Sequence, residues 1–159
     1  MSHVSKLIGR FEKKEDVTEN YSKIISKLDD LFKSKEIDSN LNIEVNEIIE
    51  EISELDMVSR VKIYDWIICY RTWYNKIYTN FILGTMNMKG IGVKKNNTQA
   101  IYYFTVAAEN GYAHAMYNIG CIYAFGEDQN RSEALKWFTK AAEGGFEPAK
   151  GLSEIFPVN

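Results

Sequence analysis

Cysteine and histidine are scarce in this chain, with two of each in 159 residues. Cys69 and Cys121 lie in apolar, helix-patterned contexts in different halves, so two buried, reduced thiols are expected rather than a disulfide framework. His3 and His114 have no Cys, Asp or His at ligand spacing, which removes zinc binding and leaves no evident general base. Long apolar runs are missing too. The longest, Trp66 to Tyr70, falls far short of the ~20 residues that cross a bilayer. Met1 to Lys14 holds only Leu7-Ile8 as an apolar pair, well below the apolar core of a secretory signal. A cytoplasmic location is therefore expected, unless a specialised secretion machine exports the chain. An excess of positive charge is also lacking: the net charge is −3, whereas binding along a phosphate backbone calls for clustered Lys and Arg. Neither nucleic acid nor membrane is expected as a partner.

Catalytic signatures are absent as well. No Gly-x-Ser-x-Gly elbow occurs, and Gly90-Ile91-Gly92-Val93 lacks the preceding strand and the Lys-Ser pair of a phosphate loop. Glu50, Glu51 and Glu54 read as a solvated helix face. No cofactor, metal or enzymatic activity is expected.

What is present is repetition. Ala100, Phe104, Ala107, Ala108, Glu109, Gly111 and Ala115 recur as Ala134, Phe138, Ala141, Ala142, Glu143, Gly145 and Ala149, each thirty-four positions later. A fixed period in this range marks a solenoid, whose units bury their apolar faces by stacking. Each unit reads as two helices. Ala115, Ile119 and Ile122 have helical spacing, and Gly120 sits among them; a glycine there costs about 1 kcal/mol relative to alanine, which points to close approach of a neighbouring helix. The second helix runs from Ser132 to Glu143 and stops at Gly144-Gly145, as the first copy stops at Gly111, by the positive φ that glycine permits.

Leu83-Gly84, Gly90-x-Gly92-Val93, Ala100, Tyr103-Phe104, Ala107-Ala108-Glu109-x-Gly111 and Ala115-Met116-Tyr117-Asn118-Ile119-Gly120 resemble the Sel1-like repeat, a relative of the tetratricopeptide repeat. The likeness continues through Ala134, Trp137-Phe138-x-Lys140-Ala141-Ala142-Glu143-x-Gly145 and Ala149. It covers roughly residues 77 to 156. Two departures stand out. Gly126 to Arg131 replaces the Gly-x-Gly-Val loop and is two residues shorter, and the third copy breaks down at Ser153-Glu154 before Pro157. A capping helix is expected there. The chain also lacks the paired cysteines of the secreted branch that the resemblance brings to mind.

Before the repeats, Tyr21, Ile24, Ile25, Leu28, Leu31 and Phe32 form one apolar stripe between Thr18 and Lys33, with Asp16 or Thr18 as the cap. Leu41, Val45, Ile48, Ile49, Ile52 and Leu55 form a second stripe after a cap at Ser39 or Asn40. Two such helices pack antiparallel. Val4, Leu7, Ile8 and Phe11 suggest a short amphipathic helix or a frayed end. The aromatic stretch from Met57 to Phe81, shifted by thirty-six, places Tyr64 opposite Ala100, Ile68 opposite Phe104 and Thr79 opposite Ala115. It reads as a degenerate repeat with a turn between Thr72 and Lys76.

The expected fold is all-α: an α-solenoid of about two and a half Sel1-like helix-turn-helix repeats preceded by an α-helical hairpin. Residues 1–56 form the hairpin segment, 57–82 the connecting helices, and 83–156 the repeats with their cap. The resemblance implies a non-catalytic protein-protein interaction module. Where the copies differ on the first helix of each unit, at Tyr78 and His114, Asn80 and Met116, Asn87 and Tyr123, a partner-binding surface is expected. The acidic balance suits a basic protein partner, as for a small inhibitor or immunity-type protein that captures a toxin. The alternative is a secreted effector or signalling adaptor.

Overall fold

The computed structural model describes residues 19–34, 39–70, 76–127 and 129–152. Among them are eight helices and no strand. In chain order these are α1 (Glu19–Lys33), α2 (Ser39–Glu54), α3 (Met57–Tyr70), α4 (Lys76–Lys89), α5 (Asn97–Glu109), α6 (Ala113–Phe125), α7 (Arg131–Glu143) and α8 (Glu147–Lys150). The short helix or frayed end around Val4, the caps at Asp16 or Thr18 and the break at Ser153-Pro157 lie outside the described residues. So do residues 71–75, which hold most of the expected turn between Thr72 and Lys76.

The apolar stripe of α1 is buried over its whole length, from Tyr21 to Phe32, and Val45, Ile48, Ile49 and Ile52 of α2 are buried opposite it. Burying one such side chain contributes roughly 1.5–3 kcal/mol relative to leaving it exposed, so the two stripes account for the hairpin. Lys27 and Glu51 form an ion pair across it, and the pairing of early α1 with late α2 makes the helices antiparallel. Asp56 caps α3: its Oδ1 accepts from the amides of Val58 at 2.9 Å and Ser59 at 3.1 Å. The Ser59 hydroxyl and amide hold the Asp56 carboxyl below its ordinary pKa. Trp66 of α3 then stacks on Phe32 of α1, ring centroids 6.0 Å apart, which fastens α3 to the hairpin.

Helix α4 is the centre of the molecule. Every residue from Tyr78 to Asn87 is buried, as befits a helix enclosed on all sides, and α1, α2, α3 and α5 all pack on it. A single apolar core runs from Tyr21 through α4 to Ile122. The stripes of the hairpin are consumed in that core, so the hairpin closes one end of the repeats. From α4 onward each helix packs on the next, α5 on α6, α6 on α7 and α7 on α8.

Candidate functional site

The turns that join the helices within each repeat shape the site. In the first, Gly90 and Gly92 have φ of 76° and 67°. A Cβ built at Gly92 would lie 2.4 Å from the Arg60 carbonyl oxygen, so only glycine fits where this loop meets α3. In the second turn Gly126 is extended, with φ −74° and ψ −177°. Different as they are, both turns close with one bond: Asn96 N–H donates to the Asn87 carbonyl at 2.9 Å, and Asn130 N–H to the Tyr123 carbonyl at 2.8 Å. Each of these asparagines then caps the following helix, Asn96 Oδ1 accepting from Gln99 N–H at 3.0 Å and Asn130 Oδ1 from Glu133 N–H at 3.1 Å. The cap of α7 is thus Asn130, two positions before the expected start at Ser132.

Between the two turns lies a cleft of ≈ 580 Å³. Lys95, Asn96, Asn97, Thr98 and Ile101 line it from the first repeat, and Ile122, Tyr123 and Glu127 from the second. Its apolar lining residues Ile101, Ile122 and Tyr123 are buried or half-buried, and its polar ones are mostly exposed. Lys95 and Glu127 make no ion pair among the described residues. Two large exposed aromatics belong to the same helices, Tyr102 of α5 at 53% and Phe125 of α6 at 68% exposure.

The expected partner-binding residues divide sharply. Tyr78, Asn80 and Asn87 are buried, a correction to the expectation that they form an exposed surface. Tyr78 is fully buried and meets Tyr112 edge-on at 5.7 Å. Asn80 Nδ2 donates to the Lys76 carbonyl at 2.6 Å, and Asn87 Nδ2 donates to the Leu83 carbonyl at 2.8 Å and to Tyr64 Oη at 3.1 Å. Tyr78 is closed in by Tyr112 of the turn between α5 and α6, and Asn87 by Tyr64 of α3; α1, α2 and α3 all pack on the helix that carries them. On α6, Met116 and Tyr123 are half-buried against the core, and Tyr123 alone of the six lines the cleft. His114 is wedged between the repeats, stacked on Phe146 at 4.7 Å and beside Phe81 at 4.8 Å. Burial pushes its pKa down to about 4, and Nδ1 is buried with no hydrogen-bond partner among the described residues.

Other expectations sort in the same way. Cys121 is partly buried and its thiol is pushed up by that burial, whereas Cys69 is exposed, contrary to expectation. Both are free. Gly111 and Gly145 take φ of 88° and 87°, while Gly144 stays at −74°. Among the described residues no group of His, Cys, Asp and Glu is placed to hold a metal, and no helix is long and apolar enough to cross a membrane. The polar lining of the cleft at Lys95 to Thr98 and Glu127 carried no signal in the sequence beyond its position in turns and at the start of α5.

The Sel1 repeat family profile matches residues 78–112 and 113–146, which are the pairs α4 with α5 and α6 with α7. The chain contains two Sel1 repeats. A solved protective antigen of uropathogenic Escherichia coli that displays an SLR fold is similar, with 25% identity and a TM-score of 0.53 over 69% of this chain and 24% of its own. A Sel1 repeat protein from Oxalobacter formigenes is similar at 26% identity and a TM-score of 0.54, over 70% of this chain and 47% of its own. This chain therefore spans under half the length of either. No curated protein is significantly similar in sequence. Sel1 repeats generally mediate protein-protein interaction.

Proposed function

We propose that this Sel1 repeat protein is a non-catalytic module that captures one partner protein, and that the cleft between its two repeats is where the partner docks. The carrying observation is the cleft itself, where buried or half-buried Ile101, Ile122 and Tyr123 lie among more exposed polar residues, as apolar and polar groups do at protein interfaces. Exposed Tyr102 and Phe125 add large aromatic surface on the same two helices, and aromatics dominate the energetics of protein interfaces.

Within that class the favoured role is a small cytoplasmic inhibitor of immunity type, acting by stoichiometric capture. A net charge of −3 complements a basic target such as a toxin, and opposite charge speeds encounter. The second reading is an exported effector or adaptor, favoured by the likeness to a bacterial protective antigen. An affinity pull-down from the native cell with the intact protein, followed by cross-link mapping, tests both. One basic protein held at equal stoichiometry and cross-linked beside Tyr123 supports the inhibitor. A set of unrelated proteins, or a pool of the bait in culture supernatant, supports the second. A partner cross-linked only to the hairpin would remove the cleft from the account.

A further inference from the structure

The turn between α5 and α6 carries the pair Asn110-Gly111, and both residues are exposed. Glycine after asparagine leaves the backbone nitrogen unshielded, so that it can reach the asparagine Cγ. Around Gly111 there is open space: a Cβ built there meets nothing within 4 Å. The equivalent turn after α7 has Gly144-Gly145 with nearly the same backbone, φ −74° and ψ 3° at Gly144 against φ −92° and ψ 16° at Asn110. The closing bonds match as well. Tyr112 N–H donates to the Ala107 carbonyl at 3.1 Å, and Phe146 N–H to the Ala141 carbonyl at 2.9 Å. The geometry of the turn does not require asparagine at position 110.

The folded turn restrains both groups that would react. Asn110 Nδ2 donates to the Val106 carbonyl at 2.7 Å, and Gly111 N–H donates to the Ala108 carbonyl at 2.9 Å. The leaving group and the attacking nitrogen are tied back into the last turn of α5, so ring closure needs that turn to open and ψ of Asn110 to rotate.

We propose that Asn110 is a deamidation site guarded by the fold, whose conversion waits on fraying of the end of α5. The deprotonated Gly111 nitrogen attacks Asn110 Cγ. The bond from Cγ to Nδ2 breaks, ammonia leaves with a proton taken from water, and a cyclic imide remains. Water opens the imide at either carbonyl, giving aspartate or isoaspartate, and no other reagent takes part. Both products put a negative charge beside Glu109 at a helix C-terminus, where the dipole disfavours it. Isoaspartate also reroutes the main chain through the side chain and displaces the Tyr112 bond to Ala107. Tyr112 is the last residue of the first repeat and packs edge-on against Tyr78 and Phe81 within it, so the change falls on that repeat's core beside its junction with the next.

The test incubates the intact protein and Asn110→Gly in mildly alkaline buffer, with and without denaturing urea, and follows the peptide holding residue 110 by mass spectrometry. The expected result is amide-to-acid conversion with isoaspartate in urea, at least ~10-fold slower in the folded protein and rising with urea below global unfolding. Asn110→Gly should melt close to the parent and show no conversion in that peptide. Equal rates in folded and unfolded protein would overturn the guarding, and no conversion in urea would overturn the site.

Discussion

The ring of Phe138 lies on the bare backbone of Gly120, so close that a Cβ built there would sit 2.6 Å from Cδ1 and Cε1; Phe104 stands in the same relation to Gly84. Both rings are fully buried and have no free end to swing aside. This contact joins the two helices of each repeat. Gly120→Leu is therefore expected to lower the unfolding free energy by about 1–3 kcal/mol through overpacking, measured by chemical denaturation. Adding Phe138→Leu should return part of the loss. An unchanged stability would mean that the helices can part without cost.

Stability should depend on pH through His114. Its folded pKa of about 4 lies below the ordinary 6.5, so the unfolded chain binds the proton more readily. The neutral-state advantage is whole above pH 6.5 and is lost as pH falls toward 4, by at most about 3 kcal/mol. The facing groups are Phe81, Tyr112, Tyr117 and Phe146, none of which titrates in that window. Melting curves across it should show a slope that His114→Phe flattens.

Asn96 and Asn130 do the same work in two differently built turns. Asn96→Ala and Asn130→Ala should each cost about 0.5–2 kcal/mol, while aspartate at either position should retain most of the cap. Thermal denaturation of the four variants checks this, and a harmless Asn130→Ala would show that the shorter turn holds without its cap.

The thiols should react unequally. Cys69 is exposed and Cys121 is partly buried with its thiol pushed up, so a maleimide should label Cys69 rapidly and Cys121 slowly in the folded protein. Peptide mapping of a short labelling pulse separates the two, and equal labelling would contradict the burial of Cys121.

Partner binding should depend on Tyr123 and not on Tyr78. Once a partner is in hand, Tyr123→Ala should weaken it by ~10-fold or more, the scale of an interfacial aromatic. Tyr78→Phe, in the core, should leave affinity alone. Isothermal titration gives both values, and equal affinities for the parent and Tyr123→Ala would move the docking site elsewhere.

Much of this architecture is legible because its cause is local or periodic. The stripe from Tyr21 to Phe32 announces a helix with one buried face, and all six of its positions are buried. The thirty-four-residue echo from Ala100 to Ala149 announces two stacked units, and Gly120 announces a close contact because a helix does not otherwise tolerate its cost. The candidate surface was less legible. Tyr78, Asn80 and Asn87 differ from their counterparts on α6, yet variation between copies arises equally when one copy is covered by a hairpin and the other is not.

The sequence by itself determined where the helices run, that they pair with a fixed period, and that a neighbouring helix comes close at Gly120, because propensity and periodicity act between near neighbours in the chain. The tertiary structure decided which faces stay open. Tyr78 is interior because Tyr112 packs against it from the turn after α5, and Asn87 because Tyr64 of α3 reaches it, while Tyr123 of α6 stays half-exposed. The cleft joining Lys95 to Glu127 likewise exists only once two turns of different length are set side by side. Burial is a property of what packs against a residue, and here the packing elements come from distant parts of the chain.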